Sequence, residues 1–229
     1  MTSRLPGPLC QFTQALGIDA GTLCRQRSPS PGPTGVSNND PFAADVPDSV
    51  LLVYACFPCL TKAKFVKATF KKARPRGTRI KEIVIHDTGS GPRATFEKTT
   101  EYLADPQDGR KVSIHYLIGR EEGEIVAMVP EDQIANQAVG HNTRSIGIEL
   151  HRKTNETRDY TDWQYEAVAE LVYDLLRRHS LARNAIIGHG EIEPKKRGEP
   201  HGFDWPRFYD LLEEINAHVT MFDSKFAAF

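Results

Sequence analysis

Ile83-Val84-Ile85-His86-Asp87-Thr88-Gly89-Ser90-Gly91-Pro92 carries the clearest strand and loop signals of this 229-residue chain. Its three consecutive apolar residues predict a short buried strand that ends at His86. Glycine, serine and proline follow at once, and they predict a loop. Ile186-Ile187-Gly188-His189 has the same form. We therefore expect two histidines to project from one edge of a sheet into a shared cleft.

The segments between these strands alternate between strand and helix patterns. Three of them carry strand patterns, namely Val112–Ile118, Glu124–Val129 and Ser145–Leu150. Three others carry helix patterns, namely Thr95–Ala104, the segment behind a capping box of Thr161 and Gln164, and the segment that opens at Trp205-Pro206. Interleaved strands and helices predict an α/β fold, with a central mixed β-sheet flanked by helices.

Composition narrows the class of protein without giving its function. Hydrophobic residues make up 39% and charged residues 26%, as in soluble globular proteins. The formal net charge of -1 offers no overall attraction to nucleic acid. Val50–Phe57, the longest apolar run, is far shorter than the roughly 20 residues of a transmembrane helix. Met1–Gly21 lacks the pattern of a Sec-type signal, so we expect synthesis in the cytoplasm.

The chain divides into four segments by composition. Residues 1–48 form an N-terminal arm with a Pro/Ser-rich linker, and residues 49–79 form an apolar and then basic lead-in. Residues 80–220 form the folded domain, and residues 221–229 form a C-terminal tail. The basic residues from Thr61 to Arg76 are interpreted as a solvated face or as a patch that contacts an anionic polymer or lipid.

Four cysteines lie in the first quarter of the chain, and two of them, Cys56 and Cys59, have the C-x-x-C spacing. A zinc site of four thiolates would favour two such pairs. A redox or disulfide role and plain thiols remain as alternatives. The cysteines therefore do not decide the compartment.

Four motifs that include the two histidines follow one another in a specific order. They are Ile83-Val84-Ile85-His86, Ser113-Ile114-His115-Tyr116-Leu117-Ile118, Ser145-Ile146-Gly147-Ile148-Glu149-Leu150 and Gly188-His189-Gly190-Glu191-Ile192, followed by Phe203-Asp204-Trp205. In this order they resemble the N-acetylmuramoyl-L-alanine amidases, a family that includes phage lysozyme-type amidases and the peptidoglycan recognition proteins of animals. The resemblance covers about Ile80 to His218. It implies the fold of that family for residues 80–220, with an N-terminal extension.

The resemblance implies one zinc ion, Zn2+, held by two histidines and a third ligand. His86 and His189 match the two histidine ligands. The third ligand of the family lies ten residues beyond the second histidine, and here that position is Glu199. His201 is an alternative because imidazole suits zinc, and Asp204 is another, although an aspartate there would also cap the last helix.

The resemblance also implies the catalytic and substrate-binding residues. Glu149 matches the glutamate that moves protons during hydrolysis. Arg197 stands where the family has a lysine that stabilises the oxyanion, and its guanidinium can hold the same charge. Gln137 stands in a segment where many relatives carry a substrate-binding histidine, and His141 is expected to share that role.

These residues predict a zinc-dependent N-acetylmuramoyl-L-alanine amidase, acting as a lysin or as a secreted antibacterial effector. A non-catalytic peptidoglycan-binding module and a hydrolase for another acylated amide are the alternatives. The expected partners are a peptidoglycan or muropeptide substrate and an immunity protein or delivery machinery, with no nucleic acid. We expect a monomer. The place of action is the periplasm of a host or target bacterium, or the cytoplasm if wall fragments are the substrate.

Overall fold

The computed structural model describes residues 63–68, 71–72, 77–89, 94–152 and 160–226. Several features of the sequence analysis lie outside these residues. They are the arm and linker of residues 1–48, the apolar run Val50–Phe57, the four cysteines, much of the basic stretch Thr61–Arg76, and residues 227–229. The predictions for these segments stay predictions.

Six strands form the main sheet, in the spatial order β1-β5-β4-β7-β3-β8. Their bounds are β1 Lys64–Phe65, β3 Glu82–Asp87, β4 Tyr116–Ile118, β5 Ile125–Ala127, β7 Ser145–Leu150 and β8 Ile186–Gly188. Neighbouring strands run parallel except in the antiparallel pair β4–β5. A smaller antiparallel sheet pairs β2, Lys71–Lys72, with β6, Ile134–Ala135. The predicted mixed sheet is confirmed.

Helices cover both faces of the main sheet. Four α-helices lie within the described ranges: α1 Phe96–Ala104, α2 Asp162–His179, α3 His189–Ile192 and α4 Trp205–Phe226. One core packs β3 and β7 against α2 and α4, and the other packs α1 against β4 and β5. No helix of this part of the chain is long and apolar enough to cross a membrane. The expected flanking of the sheet by helices is confirmed.

Side-chain caps fix where two of these helices begin. The Gln164 backbone N–H donates to Thr161 Oγ1 at 3.3 Å, and the Thr161 N–H donates to Gln164 Oε1 at 3.1 Å. This reciprocal pair is the predicted capping box of α2. Asp204 precedes α4, and its Oδ1 accepts the N–H of Arg207 at 3.2 Å. Each such cap contributes about 1 kcal/mol.

Two predicted strands are longer than the observed ones, because β4 and β5 each contain three residues. Ser113 N–H donates to the Asn136 carbonyl at 3.0 Å, which ties the start of the predicted strand to the segment behind β6. A local apolar pattern cannot show this competition for hydrogen-bond partners. The error lies in the length of the strands and not in their existence.

The first strand of the sheet comes from the lead-in segment, ahead of Ile80. β1 pairs with β5 in parallel register, and beyond it Val66 N–H and Ala68 N–H donate to carbonyls of Ala127 and Met128 at 2.9 and 3.1 Å. Ala68 is fully buried. The lead-in therefore contributes an edge strand and a core residue to the main sheet.

The carboxyl ends of β3, β7 and β8 meet at one edge of the sheet because these strands are parallel neighbours. The register places His86 opposite Glu149 and Ile85 opposite Gly188. His189 follows Gly188 directly as the first residue of α3. The fold thus collects two histidines and a glutamate at the carboxyl edge, where α/β folds commonly carry their sites.

Candidate metal centre and active site

His86, His189 and Glu199 converge at the carboxyl edge of β3 and β8. The Nδ1 atoms of His86 and His189 lie 2.9 Å apart, and Glu199 Oε1 lies 3.3 Å from the first and 2.8 Å from the second. All three side chains are buried. They form the group within the described residues that could hold a metal ion.

The chemistry of these three groups fits zinc. Ligands about 2.0 Å from a tetrahedral zinc ion lie about 3.3 Å from one another, close to the separations seen here. Burial lowers the pKa of His86, which favours the neutral imidazole that binds metals. Burial opposes ionisation of Glu199, but the neighbouring rings of His189 and His86 hold the pKa of its carboxyl below the usual range. Two imidazoles and a carboxylate are a zinc donor set.

A close backbone approach positions the loop that carries Glu199. Gly190 N–H donates to the Glu199 carbonyl at 2.8 Å, so α3 lies directly against this loop. A Cβ atom on Gly190 would lie 2.5 Å from Gly198 N and 2.6 Å from the Lys196 carbonyl oxygen. Only glycine leaves room for this contact, which holds Glu199 beside His189.

The two alternative third ligands point elsewhere. His201 Nδ1 lies 2.8 Å from Asp87 Oδ2, and the His201 backbone N–H donates to the same oxygen at 2.5 Å. Asp204 accepts the first hydrogen bond of α4, as described above. Asp87 thereby holds the loop after Glu199, and neither alternative joins the histidines.

Glu149 ends β7 beside His86 and lines the same cavity. Burial, with the carboxylates of Glu199 and Asp87 nearby, raises the pKa of Glu149 to about 8, although Lys196 acts in the opposite direction. A carboxyl group with a pKa this close to neutral can both accept and release a proton under working conditions. The structure therefore places a carboxyl group that could transfer protons next to the three converging side chains.

A lysine, and not the expected Arg197, faces the cavity. Lys196 Nζ lies 3.2 Å from Glu199 Oε2, and Lys196 lines the cavity. Arg197 is exposed and is not part of the cavity wall. The expectation counted two residues back from Glu199, but the turn of 3-10 helix at Pro194–Lys196 directs the preceding residue inward.

The two expected substrate-binding residues are both engaged by the protein itself. Gln137 lines the cavity, but its Oε1 contacts His86 Nε2 and its amide nitrogen donates to Ser145 Oγ at 2.6 Å. His141 Nδ1 lies 2.7 Å from Glu82 Oε2, at the amino end of β3. His141 is not in the cavity wall, so its expected contact with substrate stays a prediction.

A cavity of about 510 Å³ opens beside the three converging residues. Pockets of roughly 300–1,000 Å³ accept small-molecule ligands. Its wall also contains polar and cationic side chains that carry no assignment from the sequence: Lys98, Tyr102, Arg110 and Asn136. The cavity can hold a polar substrate in contact with the histidines.

Two residues of the site, Lys196 and Glu193, were not predicted from the sequence. Lys196 was not predicted, because the resemblance pointed to the residue two positions before Glu199, which is Arg197. Glu193 was not predicted either. Its Oε2 lies 3.0 Å from Nε2 of His189, which stands four residues earlier. An i, i+4 spacing on a helix brings side chains together, so this signal was present in the sequence.

Fold and site together define a class: an α/β protein with a candidate metal centre and an adjacent carboxyl group at the carboxyl edge of its sheet. The family model described as N-acetylmuramoyl-L-alanine amidase matches residues 76–202. That match spans more than half of the chain. The chain therefore belongs to the N-acetylmuramoyl-L-alanine amidase family.

Individual relatives agree with this membership. The 1,6-anhydro-N-acetylmuramyl-L-alanine amidase AmpD of Salmonella typhimurium is 31% identical over 183 residues, which cover 71% of this chain and 96% of AmpD. AmpD of Citrobacter freundii is 33% identical over 174 residues, which cover 67% of this chain and 91% of the relative.

Solved structures show the same architecture. The selenomethionine derivative of AmpD matches with a TM-score of 0.56 and 30% identity, over 66% of this chain and 94% of that one. PlyL matches with a TM-score of 0.52 over 67% of this chain and 94% of its own, but at 17% identity it shows the fold alone. The amidase fold expected from the motifs is confirmed.

Proposed function

We propose that this chain is a zinc-dependent amidase that hydrolyses the bond between N-acetylmuramic acid and L-alanine in peptidoglycan fragments. The observation that carries the proposal is the convergence of His86, His189 and Glu199 in a cavity that Glu149 also lines. The substrate class rests on the two relatives named above, both of which are 1,6-anhydro-N-acetylmuramyl-L-alanine amidases. A fragment with a 1,6-anhydro sugar is therefore the substrate that we favour.

His86, His189 and Glu199 would hold the zinc ion. Bound zinc supplies positive charge that polarises the amide carbonyl, promotes ionisation of water and favours the carboxylate form of nearby acids. Glu149 accepts a proton from the attacking water and delivers it to the departing amine of L-alanine. The reaction consumes one water and yields a free carboxyl group on the sugar and a free amine on the peptide.

Lys196 provides the cation next to this reaction. Its ammonium group lines the cavity, and the carboxylates of Glu199 and Glu149 raise its pKa even though burial lowers it. It therefore stays charged at neutral pH and can stabilise the oxygen that becomes negative during attack. We assign to Lys196 the role that the sequence suggested for Arg197.

Zinc content and amide cleavage, measured together, test the proposal. Purified protein is analysed for bound zinc and incubated with an anhydro-muramyl peptide or with intact peptidoglycan, and release of L-alanine-containing peptide is followed. We expect one zinc per chain, release from the fragment, and loss of both zinc and release in His189→Ala. Full release by His189→Ala would sink the metal assignment.

The choice of substrate separates two biological roles. An enzyme for wall fragments cleaves the soluble anhydro-muramyl peptide much faster than the polymer. A lysin or secreted effector, with delivery machinery or an immunity protein as its partner, has the opposite preference. A chain that binds the fragment without zinc and without cleavage would instead be a peptidoglycan-binding module.

A further inference from the structure

Both histidines turn the same ring nitrogen towards the converging residues. Nδ1 of His86 and Nδ1 of His189 face each other and Glu199. The opposite nitrogen, Nε2, meets a separate acceptor in each case, which is Gln137 Oε1 for His86 and Glu193 Oε2 for His189. Two different segments of the chain thus hold the two rings in the same way.

The hydrogen-bond directions around Gln137 determine which nitrogen of His86 carries its proton. Ser145 Oγ–H donates to the His141 carbonyl at 2.8 Å, so its oxygen is free to accept from Gln137 Nε2 at 2.6 Å. This fixes the amide with Oε1 towards His86. Because Oε1 can only accept, Nε2 of His86 must donate. The lone pair of the neutral ring therefore lies on Nδ1.

The backbone of Gln137 is fixed as well. Its N–H and that of Ala138 donate to Asn142 Oδ1 at 2.9 and 2.7 Å. Gly147 on β7 leaves space for the side chain, because a Cβ there would lie 2.9 Å from Gln137 Cγ. The backbone and the side chain of Gln137 are therefore both held by contacts within the protein on the side of His86.

Glu193, at the end of α3, contacts Nε2 of His189 as Gln137 contacts Nε2 of His86. Its backbone N–H donates to the His189 carbonyl at 3.0 Å, so main chain and side chain both contact this residue. The carboxylate side chain is 31% exposed, whereas that of His189 is 3% exposed. A carboxylate accepts only, so Nε2 of His189 donates to Glu193, which leaves Nδ1 on the side of Glu199 as the nitrogen that a metal ion can take.

We propose that Gln137 and Glu193 are positioning residues that hold both histidines as Nε2–H tautomers, with both Nδ1 lone pairs directed at the zinc position. This inference rests on the proposed function, because it assigns the second layer of the same centre. Acceptors of this kind orient histidine ligands, and their loss typically weakens metal affinity about 10- to 100-fold. Gln137 thereby serves the metal centre and not the substrate.

The test measures zinc affinity by competition with a chromogenic chelator. Gln137→Met and Glu193→Met remove an acceptor while keeping the length of the side chain, and each should weaken zinc binding about 10- to 100-fold. Gln137→Glu and Glu193→Gln keep an oxygen acceptor and should restore affinity to within a few fold. Thermal unfolding of the metal-free proteins checks that each variant is folded.

Glu191→Met is the matched control in the same short helix. Glu191 Oε1 accepts the Gly188 N–H at 2.7 Å and contacts neither imidazole, so its loss perturbs α3 without removing a histidine partner. We expect its zinc affinity to stay near that of the wild type. An equal loss in this control would reduce Glu193 to a merely structural role and overturn the inference for it.

Imidazole tautomers give a second readout that does not depend on activity. Long-range ¹H–¹⁵N spectra of the zinc-loaded protein should show the Nε2–H form for both histidines, and the Met variants, compared at the same zinc concentration, should gain Nδ1–H signal. Wild-type affinity and unchanged spectra in both Met variants would overturn the inference and leave the proposed function standing. Zinc binding with these effects but without amide cleavage would contradict the proposed function alone.

Discussion

Two glutamates at the candidate site differ in ionisation although they share one cavity. The neighbouring rings of His189 and His86 hold the pKa of the Glu199 carboxyl below the usual range against the effect of burial. At Glu149, burial and nearby negative charge raise the pKa to about 8. Paired carboxyl groups whose environments separate their pKa values commonly divide the chemistry. Here Glu199 suits a ligand and Glu149 suits proton transfer.

Glu149→Gln tests this division directly. The amide keeps the size of the side chain but cannot carry the proton, so kcat should fall about 10²- to 10⁴-fold. Zinc content should stay at one per chain because Glu149 is not one of the converging ligands. Turnover near that of the wild type would show that Glu149 is not the proton-transfer group.

The raised pKa of Glu149 also predicts a pH dependence of stability in the metal-free protein. The folded protein keeps this proton up to about pH 8, whereas an unfolded chain releases it near 4.5. The group thus stabilises the fold below about pH 4.5, and this contribution is lost as pH rises through about 8. Relative to Glu149→Gln, the wild type should lose a few kcal/mol across this window, since each pKa unit corresponds to about 1.4 kcal/mol. Denaturant unfolding at several pH values measures the difference, and parallel curves would contradict it.

Lys196→Met and Arg197→Met form a pair that distinguishes the two neighbouring cations. Lys196 lines the cavity and Arg197 does not. Loss of a group that stabilises an oxyanion costs about 10²-fold in kcat, so we expect that loss for Lys196→Met. Arg197→Met should stay within about twofold. Steady-state kinetics on the zinc-loaded proteins measures both values of kcat. A larger loss in Arg197→Met than in Lys196→Met would return the role to Arg197.

At the level of the elements, the close contact between α3 and the loop of Glu199 depends on the absence of a Cβ atom at Gly190. Gly190→Ala would place Cβ against backbone atoms of Gly198 and Lys196, which cannot move aside as a side chain could. Overpacking of this kind costs about 1–3 kcal/mol. Part of that cost must appear as displacement of Glu199 from the histidines.

We therefore expect Gly190→Ala to weaken zinc affinity by at most roughly 5- to 150-fold, the range that the full 1–3 kcal/mol would span. Chelator competition measures it. Gly109→Ala is the control, because Gly109 has a positive φ of 79° but no atom within 4 Å of the added methyl group. It should lower stability through backbone strain while leaving zinc affinity unchanged.

The elements that carry the site could be predicted from the sequence because each has a strong local signal. The apolar runs of β3, β7 and β8 and the capping box of α2 appear where they were expected. β1 could not be predicted, because a two-residue strand among lysines has no periodicity and exists only through its pairing with β5.

The same limit applies to side-chain orientation. Counting along the chain led to Glu199, which lies beside the histidines, but also to Arg197, which faces outward. For Gln137 and His141, hydrogen bonds to Ser145 and Glu82 decide where the side chains point. Those partners are brought together by the sheet, so residue type and spacing alone could not identify them.

For the whole molecule, two truncations separate the arm from the lead-in. Removal of residues 1–48 should leave cleavage of soluble fragments largely intact, because the match to the amidase family begins at residue 76. Removal of residues 1–75, up to the start of the family match, also removes β1 and buried Ala68. The two backbone hydrogen bonds made by Val66 and Ala68 alone contribute about 2 kcal/mol.

We expect the longer truncation to lower the free energy of unfolding by at least about 2 kcal/mol and the shorter one to leave it nearly unchanged. Chemical denaturation of the two truncated proteins and the full chain measures this. Equal stability of all three would mean that the edge strand is dispensable. A complete loss of hydrolysis in the shorter truncation would assign the arm to the catalytic fold.

The position of β1 also sets how this enzyme can be tethered. Four strand spacings of about 4.8 Å separate β1 from β3, so β1 lies about 19 Å from the strand that bears His86. Because β1 runs antiparallel to β3, its amino end lies at the edge of the sheet that carries the histidines. A surface linker attached directly ahead of Ala63 therefore begins on the side of the cavity, and immobilisation through a short linker should slow cleavage of a large substrate more than cleavage of a small fragment.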